Sequence, residues 1–180
     1  MKQLTIITIL LANLIFAMFS ASAQEHTQHD DAQAHEHDTH YHKNHVALLV
    51  GATSNLSHSS TLFTAGVDYE FRFHEKIGIG FGAELLTGDA TEYVLGIPVF
   101  IHPVSSLKFN FGPLLVLLEE HSDDHSTEPE TEMVSEFGLR IGVAYDFHIG
   151  KRFSLTPMVN YDYVNKSSAV MYALGFGIGF

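Results

Sequence analysis

The chain has 180 residues, of which 46% are hydrophobic, a formal net charge of −12 and no cysteine. The length suits one domain, and the hydrophobic content excludes a wholly disordered protein. The negative charge argues against nucleic acid as a partner, because contacts to phosphates require basic side chains. The absence of cysteine excludes disulfides, thiolate metal sites and a cysteine nucleophile.

Residues 1–23 have the pattern of a secretory signal peptide. Lys2 supplies positive charge, an apolar stretch covers residues 4–19, and Ala21-Ser22-Ala23 offers the small residues that a signal peptidase requires. The apolar stretch is short for a helix that has to cross about 30 Å of hydrocarbon, which disfavours a membrane anchor. We therefore expect cleavage after Ala23.

Residues 24–43 form a low-complexity segment rich in histidine, acids, glutamine, alanine and threonine. Little in this segment could offset the entropy of ordering, so we expect a disordered tail. Imidazoles beside carboxylates suit Zn, Ni or Cu ions. One interpretation is that the tail binds such ions through His35, His37, His40 and His42. The alternative is a solvated tail whose charge changes at about pH 6.5.

From Asn44 to Phe180 the apolar residues recur with a period of two, which predicts β-strands. Turn signals divide this region into eight segments, most of them long enough for a tilted strand to cross a bilayer. The predicted strands are Asn44–Ala52, Thr61–Phe73, Ile77–Thr87, Thr91–His102, Leu107–Leu118, Val134–Phe147, Arg152–Tyr163 and Ala169–Phe180.

Most of these segments have one bulky, apolar face and one face that is small, polar or charged. A soluble barrel would bury the bulky face, whereas a membrane barrel would turn it towards lipid and keep the polar face in the lumen. The glycines on the small, polar face favour the membrane barrel. On a face exposed to water they would only weaken the strand, whereas in a narrow lumen they leave space for the side chains of neighbouring strands. The glycines on the polar face are Gly78, Gly80, Gly82, Gly175, Gly177 and Gly179.

The connections between the predicted strands alternate in character. Those after even-numbered strands are short, and those after odd-numbered strands are longer or more polar, above all residues 119–133. Short turns and long loops are typical of the periplasmic and external ends of membrane barrels, which places both termini in the periplasm. Aromatic residues near the strand ends predict two interfacial girdles. The periplasmic girdle would contain Phe71, Phe73, Phe109, Phe147, Phe153 and Phe180, and the outer one Phe63, Tyr93, Tyr161, Tyr163 and Tyr172.

The terminal stretch Tyr172-x-Leu174-x-Phe176-x-Ile178-x-Phe180 ends on phenylalanine. Because of this terminal stretch and the eight predicted strands, residues 44–180 resemble the small eight-stranded outer-membrane β-barrels of the outer membrane protein A, X and W type. The resemblance implies an all-β fold, an eight-stranded antiparallel transmembrane β-barrel surrounded by the lipid of a bacterial outer membrane. It also implies that the barrel-assembly machinery recognises the segment ending at Phe180.

A barrel of this size has an interior that its own side chains can fill. Buried charges have to be paired, so we expect salt bridges around Arg72, Lys108, Arg140 and Arg152. The interior is then either a plugged, structural core or a narrow cation-selective pore. The predicted inward polar residues are Asp68, Glu70, Arg72, Glu84, Glu92, Lys108, Asn110, Glu136, Arg140, Asp146, Arg152, Asn160 and Asp162.

The segment 119–133 is rich in acids and contains His121, Asp123, Asp124 and His125. These four side chains could hold a cation at the surface, or the segment could simply be an acidic, solvated loop. An enzyme is not expected, because His58 lies beside two serines without an acid placed to orient it. The sequence therefore favours a structural or binding role, with divalent-metal binding by the tail as the leading hypothesis. Surface adhesion and a narrow pore are the alternatives.

Overall fold

The computed structural model describes residues 42–57, 60–88, 91–121 and 131–180, with the backbone alone described at 119–121 and 131–132. The predicted signal peptide and residues 24–41 of the predicted tail lie outside the described residues. Within the described ranges there is no helix long and apolar enough to cross a membrane.

The described chain is built from strands, and the division into strands closely follows the predicted segments. Two predicted strands are each split in two, at Ile97-Pro98 and at Asp146, so ten strand segments make eight barrel strands. In chain order they are β1 Asn44–Asn55, β2 Ser60–His74, β3 Ile77–Thr87, β4 Thr91–Gly96, β5 Val99–Val104, β6 Leu107–His121, β7 Thr131–Tyr145, β8 Phe147–Ile149, β9 Phe153–Val164 and β10 Ser167–Gly179.

The sheet closes on itself, because its first strand, β1, pairs with its last strand, β10, as well as with β2. It pairs antiparallel with β2 and also with β10, in a register that runs from His45↔Gly179 to Asn55↔Ala169. At this seam the amide of Asn44 donates to the carbonyl oxygen of Phe180 at 3.0 Å, and the amide of Phe180 donates back at 2.9 Å. A closed barrel leaves no free sheet edge. The predicted fold class, an eight-stranded antiparallel transmembrane β-barrel, is confirmed.

The break between β4 and β5 follows from proline, which has no amide hydrogen to donate. The wall nevertheless stays closed around it. Ile97 donates its amide to the carbonyl oxygen of Pro113 at 3.1 Å, and Gly80 donates to the carbonyl oxygen of Pro98 at 2.8 Å. Gly112 permits this approach, since a Cβ atom there would lie 2.4 Å from the carbonyl oxygen of Ile97.

The two ends of the barrel differ. The turn end carries the connections 75–76, 105–106 and 150–152 and both ends of the barrel chain, whereas the loop end carries 56–59, 88–90, 122–130 and 165–166. β6 and β7 extend further than predicted, with backbone pairs as far as His121↔Thr131, so the predicted loop 119–133 shrinks to 122–130.

The last connection at the loop end is polar, as predicted, but it is shorter than the predicted ends of its two strands imply. It consists of Asn165 and Lys166 alone, which have φ angles of 42° and 70°. Two successive residues with positive φ fit the tight turn that matches the twist of a β-hairpin. Asparagine adopts this conformation more readily than most residues, which explains the turn.

Bulky apolar side chains cover the outside of the barrel. Phe137, Leu139 and Leu48 are 78%, 63% and 62% exposed. The predicted orientation of the faces, with the bulky side chains outward, is therefore confirmed. All members of the two predicted aromatic girdles except the half-buried Tyr172 are exposed on this surface: Phe63, Phe71, Phe73, Tyr93, Phe109, Phe147, Phe153, Tyr161, Tyr163 and Phe180.

Candidate functional site

Glycines inside the barrel make room for polar side chains from neighbouring strands. A Cβ atom at Gly177 would lie 2.3 Å from Nε2 of His45, and one at Gly82 would lie 2.7 Å from Oδ1 of Asp68. Both distances are too short for real contacts, so larger residues would displace the polar groups. The predicted reason for glycine on this face, space in a crowded lumen, agrees with these distances.

A ring of alternating charges lies in the lumen near the turn end, and we call it the turn-end cluster. Glu70 bonds Nε of Arg72 at 2.9 Å and Nε2 of His102 at 2.5 Å, both through Oε1. Nζ of Lys108 lies 3.6 Å from Oε2 of Glu70 and 3.7 Å from Oδ1 of Asp146. Asp146 completes the ring with Nη2 of Arg72 at 3.6 Å. The positive charges of Arg72 and Lys108 balance those of the two carboxylates, as buried charges require.

A second group, the Arg140 cluster, lies closer to the loop end. Arg140 contacts Asp162 through Nε and Nη2, at 2.7 Å each, and Glu84 through Nη1 and Nη2. The planar guanidinium thus engages two carboxylates in the paired geometry that favours arginine over lysine. One cation serves two anions, so the cluster carries a net formal charge of −1.

A small cavity lies at the level between these two clusters. Asp68 precedes Glu70 of the turn-end cluster by two residues on β2, and Asn160 precedes Asp162 of the Arg140 cluster by two residues on β9. Asn110 donates from Nδ2 to Oδ1 of Asn160 at 3.0 Å. The lining of the cavity includes Asp68, Gly82, Gly96, Pro98, Phe100, Asn110, Gly112, Pro113, Arg140 and Asn160.

Apolar layers fill other parts of the interior. Leu86, Val94, Leu114 and Val116 are buried together near the loop end, and we call them the loop-end layer. A second cluster lies along β1, β7, β9 and β10. Sequence reasoning expected a mainly polar interior and missed both layers. The signal was present in residues 114–118, where both faces of the strand are apolar. The second cluster consists of Ala47, Leu49, Ala144, Met158 and Met171.

The predicted salt-bridge network forms around three of the four expected basic residues. Arg72, Lys108 and Arg140 pair with acids inside the barrel. The expectation for Arg152 is wrong, because this residue lies in the exposed turn before β9 and not on the inward face. Conversely, His102 was missed as a member of the network, although it occupies an inward position on β5 and is 1% exposed.

The residues predicted as metal ligands are only partly described. Nε2 of His42 lies 2.6 Å from the carbonyl oxygen of Lys151, so the last residues of the predicted tail contact the turn end. His121 is the final residue of β6. In the part of the chain that the structure describes, no group of three or more histidine, aspartate or glutamate side chains is arranged to hold a metal ion. His35, His37, His40, Asp123, Asp124 and His125 lie outside the described residues.

The closed sheet and the apolar exterior around an interior lined with paired charges define the class, a small eight-stranded outer-membrane-type β-barrel. No model of a protein family matches the sequence, and no curated protein matches it. Solved structures, however, share the fold. The N-terminal β-barrel domain of Pseudomonas aeruginosa OprF matches with a TM-score of 0.57 and 11% identity, over 78% of this chain and 100% of that one.

Two further structures match over 76% of this chain and 96% of theirs. Neisserial surface protein A has a TM-score of 0.56 and 13% identity. Ail, the attachment invasion locus protein of Yersinia pestis, was solved in complex with the heparin analogue sucrose octasulfate and has a TM-score of 0.53 and 11% identity. At these identities the likeness is one of fold.

Proposed function

We propose that this protein is an integral outer-membrane barrel that acts by binding at its two ends and does not conduct solutes through its centre. The observation that carries the proposal is an interior occupied by side chains at several levels beneath an apolar exterior. The turn-end cluster, the Arg140 cluster and the loop-end layer occupy successive levels of the lumen. An eight-stranded barrel has little space beyond its own side chains, so these levels leave little room for a hydrated ion to pass.

The apolar exterior supports placement in a membrane. Residues such as Phe137 and Ile141 point outward in the middle of long strands, where water would penalise them and lipid would not. The outer membrane follows from the fold, since barrels of this architecture are proteins of that membrane. A structural role would need nothing more than this surface and a stable interior.

Conductance tests the main proposal. The full chain would be refolded in detergent, checked for the change in gel mobility on boiling that compact barrels show, and added to a planar bilayer. A general porin in the same bilayer is the positive control. We expect no stepwise currents from the barrel at voltages at which the porin conducts. Reproducible cation-selective steps from correctly folded protein would overturn the proposal in favour of the narrow pore.

Divalent-metal binding by the histidine-rich tail is the second candidate. The contact between His42 and Lys151 supports it, because it holds the end of the tail at the turn end, close to the barrel. His35, His37 and His40 precede this point in the sequence and supply further imidazoles. Ligands of this type suit Zn, Ni and Cu ions. The tail would then gather metal at the membrane surface that carries both ends of the barrel chain.

Titration with Zn, Ni and Cu tests the tail. We expect a variant with alanine at 35, 37 and 40 to lose most of the binding of the parent chain. The matched control replaces His74 and His148, two exposed histidines of the turn end, and should bind as the parent does. Equal affinity of the parent and the tail variant, or binding weaker than about millimolar, would remove the proposal.

Surface interaction through the β6–β7 hairpin is the third candidate. Its strands remain paired as far as His121↔Thr131, and residues 122–130, which join these strands in the sequence, are rich in acids. The negative charge of this segment would repel sulfated glycans of the kind seen with Ail, so a partner for this hairpin should be cationic. His121, Asp123, Asp124 and His125 would contribute to such contacts or hold a bridging cation. Replacing the two histidines and two aspartates together should abolish binding to cationic surfaces if this candidate is right.

A further inference from the structure

The cavity between the turn-end cluster and the Arg140 cluster is a feature that the proposed functions do not use. It exists because glycine occupies several inward positions at one level of the barrel, among them Gly82, Gly96 and Gly112. Two polar side chains on its lining, those of Asp68 and Asn110, have oxygen atoms that form no hydrogen bond or ion pair with the described side chains of the interior.

Asn110 offers an unused oxygen. The residue is 8% exposed, and its Nδ2 group is already engaged with Asn160. Its Oδ1 atom is buried and accepts no hydrogen bond from any residue that the structure describes. A buried amide oxygen without a donor costs free energy, so a ligand that supplies positive charge would be stabilised here.

Asp68 offers a carboxylate on the lining of the same cavity. In the described part of the chain this carboxylate forms no hydrogen bond or ion pair with a side chain. The two nearest basic groups of the interior are committed elsewhere, Arg140 to Glu84 and Asp162, and Lys108 to the turn-end cluster. Although Arg140 lines the same cavity, the carboxylate of Asp68 has no ion pair of its own among the described residues.

The formal charges around the cavity also favour a bound cation. The turn-end cluster is balanced, but the Arg140 cluster has one arginine for two carboxylates, and Asp68 adds a third carboxylate at this level. This level of the lumen thus carries a formal charge of −2 before any ligand is counted. Buried charge of one sign demands compensation.

We propose that the cavity binds one hard metal cation, held by the carboxylate of Asp68 and by Oδ1 of Asn110. The donors are oxygen atoms, which Na⁺, Ca²⁺ and Mg²⁺ prefer and which the softer ions suited to the tail do not. The site is buried within the barrel and independent of the histidine-rich tail. Its cation neutralises the charge that Arg140 leaves uncompensated and ties β2 to β6 across the lumen.

The test measures binding and stability of the full chain refolded in detergent. Equilibrium dialysis with Ca²⁺ gives the stoichiometry, and thermal unfolding is followed in NaCl, CaCl₂ or choline chloride at equal ionic strength. We expect Asp68→Asn to bind one equivalent of Ca²⁺ fewer than the parent. Its unfolding temperature should also no longer be higher in CaCl₂ or NaCl than in choline chloride. Glu92→Gln removes the same charge from the half-buried start of β4 and should change neither result.

Two further variants keep the test decisive if Asp68→Asn fails to fold. Asn110→Asp adds a carboxylate at the same size and should tighten Ca²⁺ binding about tenfold or more. Gly82→Ala keeps every charge but places a Cβ atom 2.7 Å from Oδ1 of Asp68, so it should weaken binding. The proposal is overturned if unfolding is the same in all three salts, or if Asn110→Asp and Gly82→Ala bind Ca²⁺ as the parent does. In either case Asp68 is neutralised by a proton or solvated by water.

Discussion

Removal of Arg140 should destabilise the barrel more than most single substitutions inside it. Its guanidinium lies between Glu84 and Asp162, which are 4% and 7% exposed, and bonds both carboxylates. In Arg140→Met the side chain keeps much of its volume, but two buried carboxylates remain without a counter-charge. Breaking a buried pair in this way costs about 3–5 kcal/mol of the free energy of unfolding.

The assay is urea unfolding of the refolded barrel in lipid vesicles, followed by far-ultraviolet circular dichroism and by gel mobility without boiling. The unfolding midpoint should fall while the slope of the transition stays constant, because the same surface is exposed on unfolding. The matched variant combines Arg140→Met with Glu84→Gln and Asp162→Asn, which removes the stranded charges. It should recover most of the lost stability.

Two results would refute this reasoning. If Arg140→Met lowers the free energy of unfolding by less than about 1 kcal/mol, the contacts of Arg140 with Glu84 and Asp162 are no stronger than solvated ion pairs at a protein surface. A triple variant as unstable as the single one would show that packing around the guanidinium, and not its charge, stabilises this level of the lumen.

Gly177→Val should lower the unfolding temperature, because its Cβ atom would collide with the imidazole of His45. Gly150→Ala is the control, since its Cβ atom meets no other atom within 4 Å and the variant therefore reports only the strain of a positive φ. Ile141→Arg on the outer face should cost about 2–4 kcal/mol in vesicle unfolding, and a neutral effect would contradict the membrane orientation. Asn165→Val should cost about 1–2 kcal/mol because a β-branched residue resists positive φ, and an unchanged urea midpoint would argue against the tight turn.

The sequence predicted the barrel because two independent patterns in it agree. Alternation of bulky and small residues indicates strands with two different faces, and glycines on the small face indicate which of the faces is crowded. Gly82 and Gly177 illustrate the second pattern, since each lies against a polar side chain of the adjacent strand. The pairing of Arg140 with acids also followed from the pattern, because any inward charge must find a partner.

What the sequence could not predict depends on contacts between strands that are distant along the chain. Leu114 and Val116 are inward although their neighbours are equally apolar, so alternation carried no information there. Arg152 fits the inward pattern of its segment but precedes the first residue of β9, and strand ends are the least certain part of such a pattern. The cavity beside Asp68 depends on glycines from several strands that come to one level, which only the register reveals.

The seam between β1 and β10 has a consequence for how the protein is made. The strand that starts the barrel finds its second neighbour only in the final strand of the chain, through hydrogen bonds as far as Asn44 and Phe180. Until that strand is available, a partly assembled sheet has two open margins that can pair with other chains. Closure therefore depends on β10 as a whole, and a chain that lacked this strand would form an unsealed ribbon in place of a cylinder.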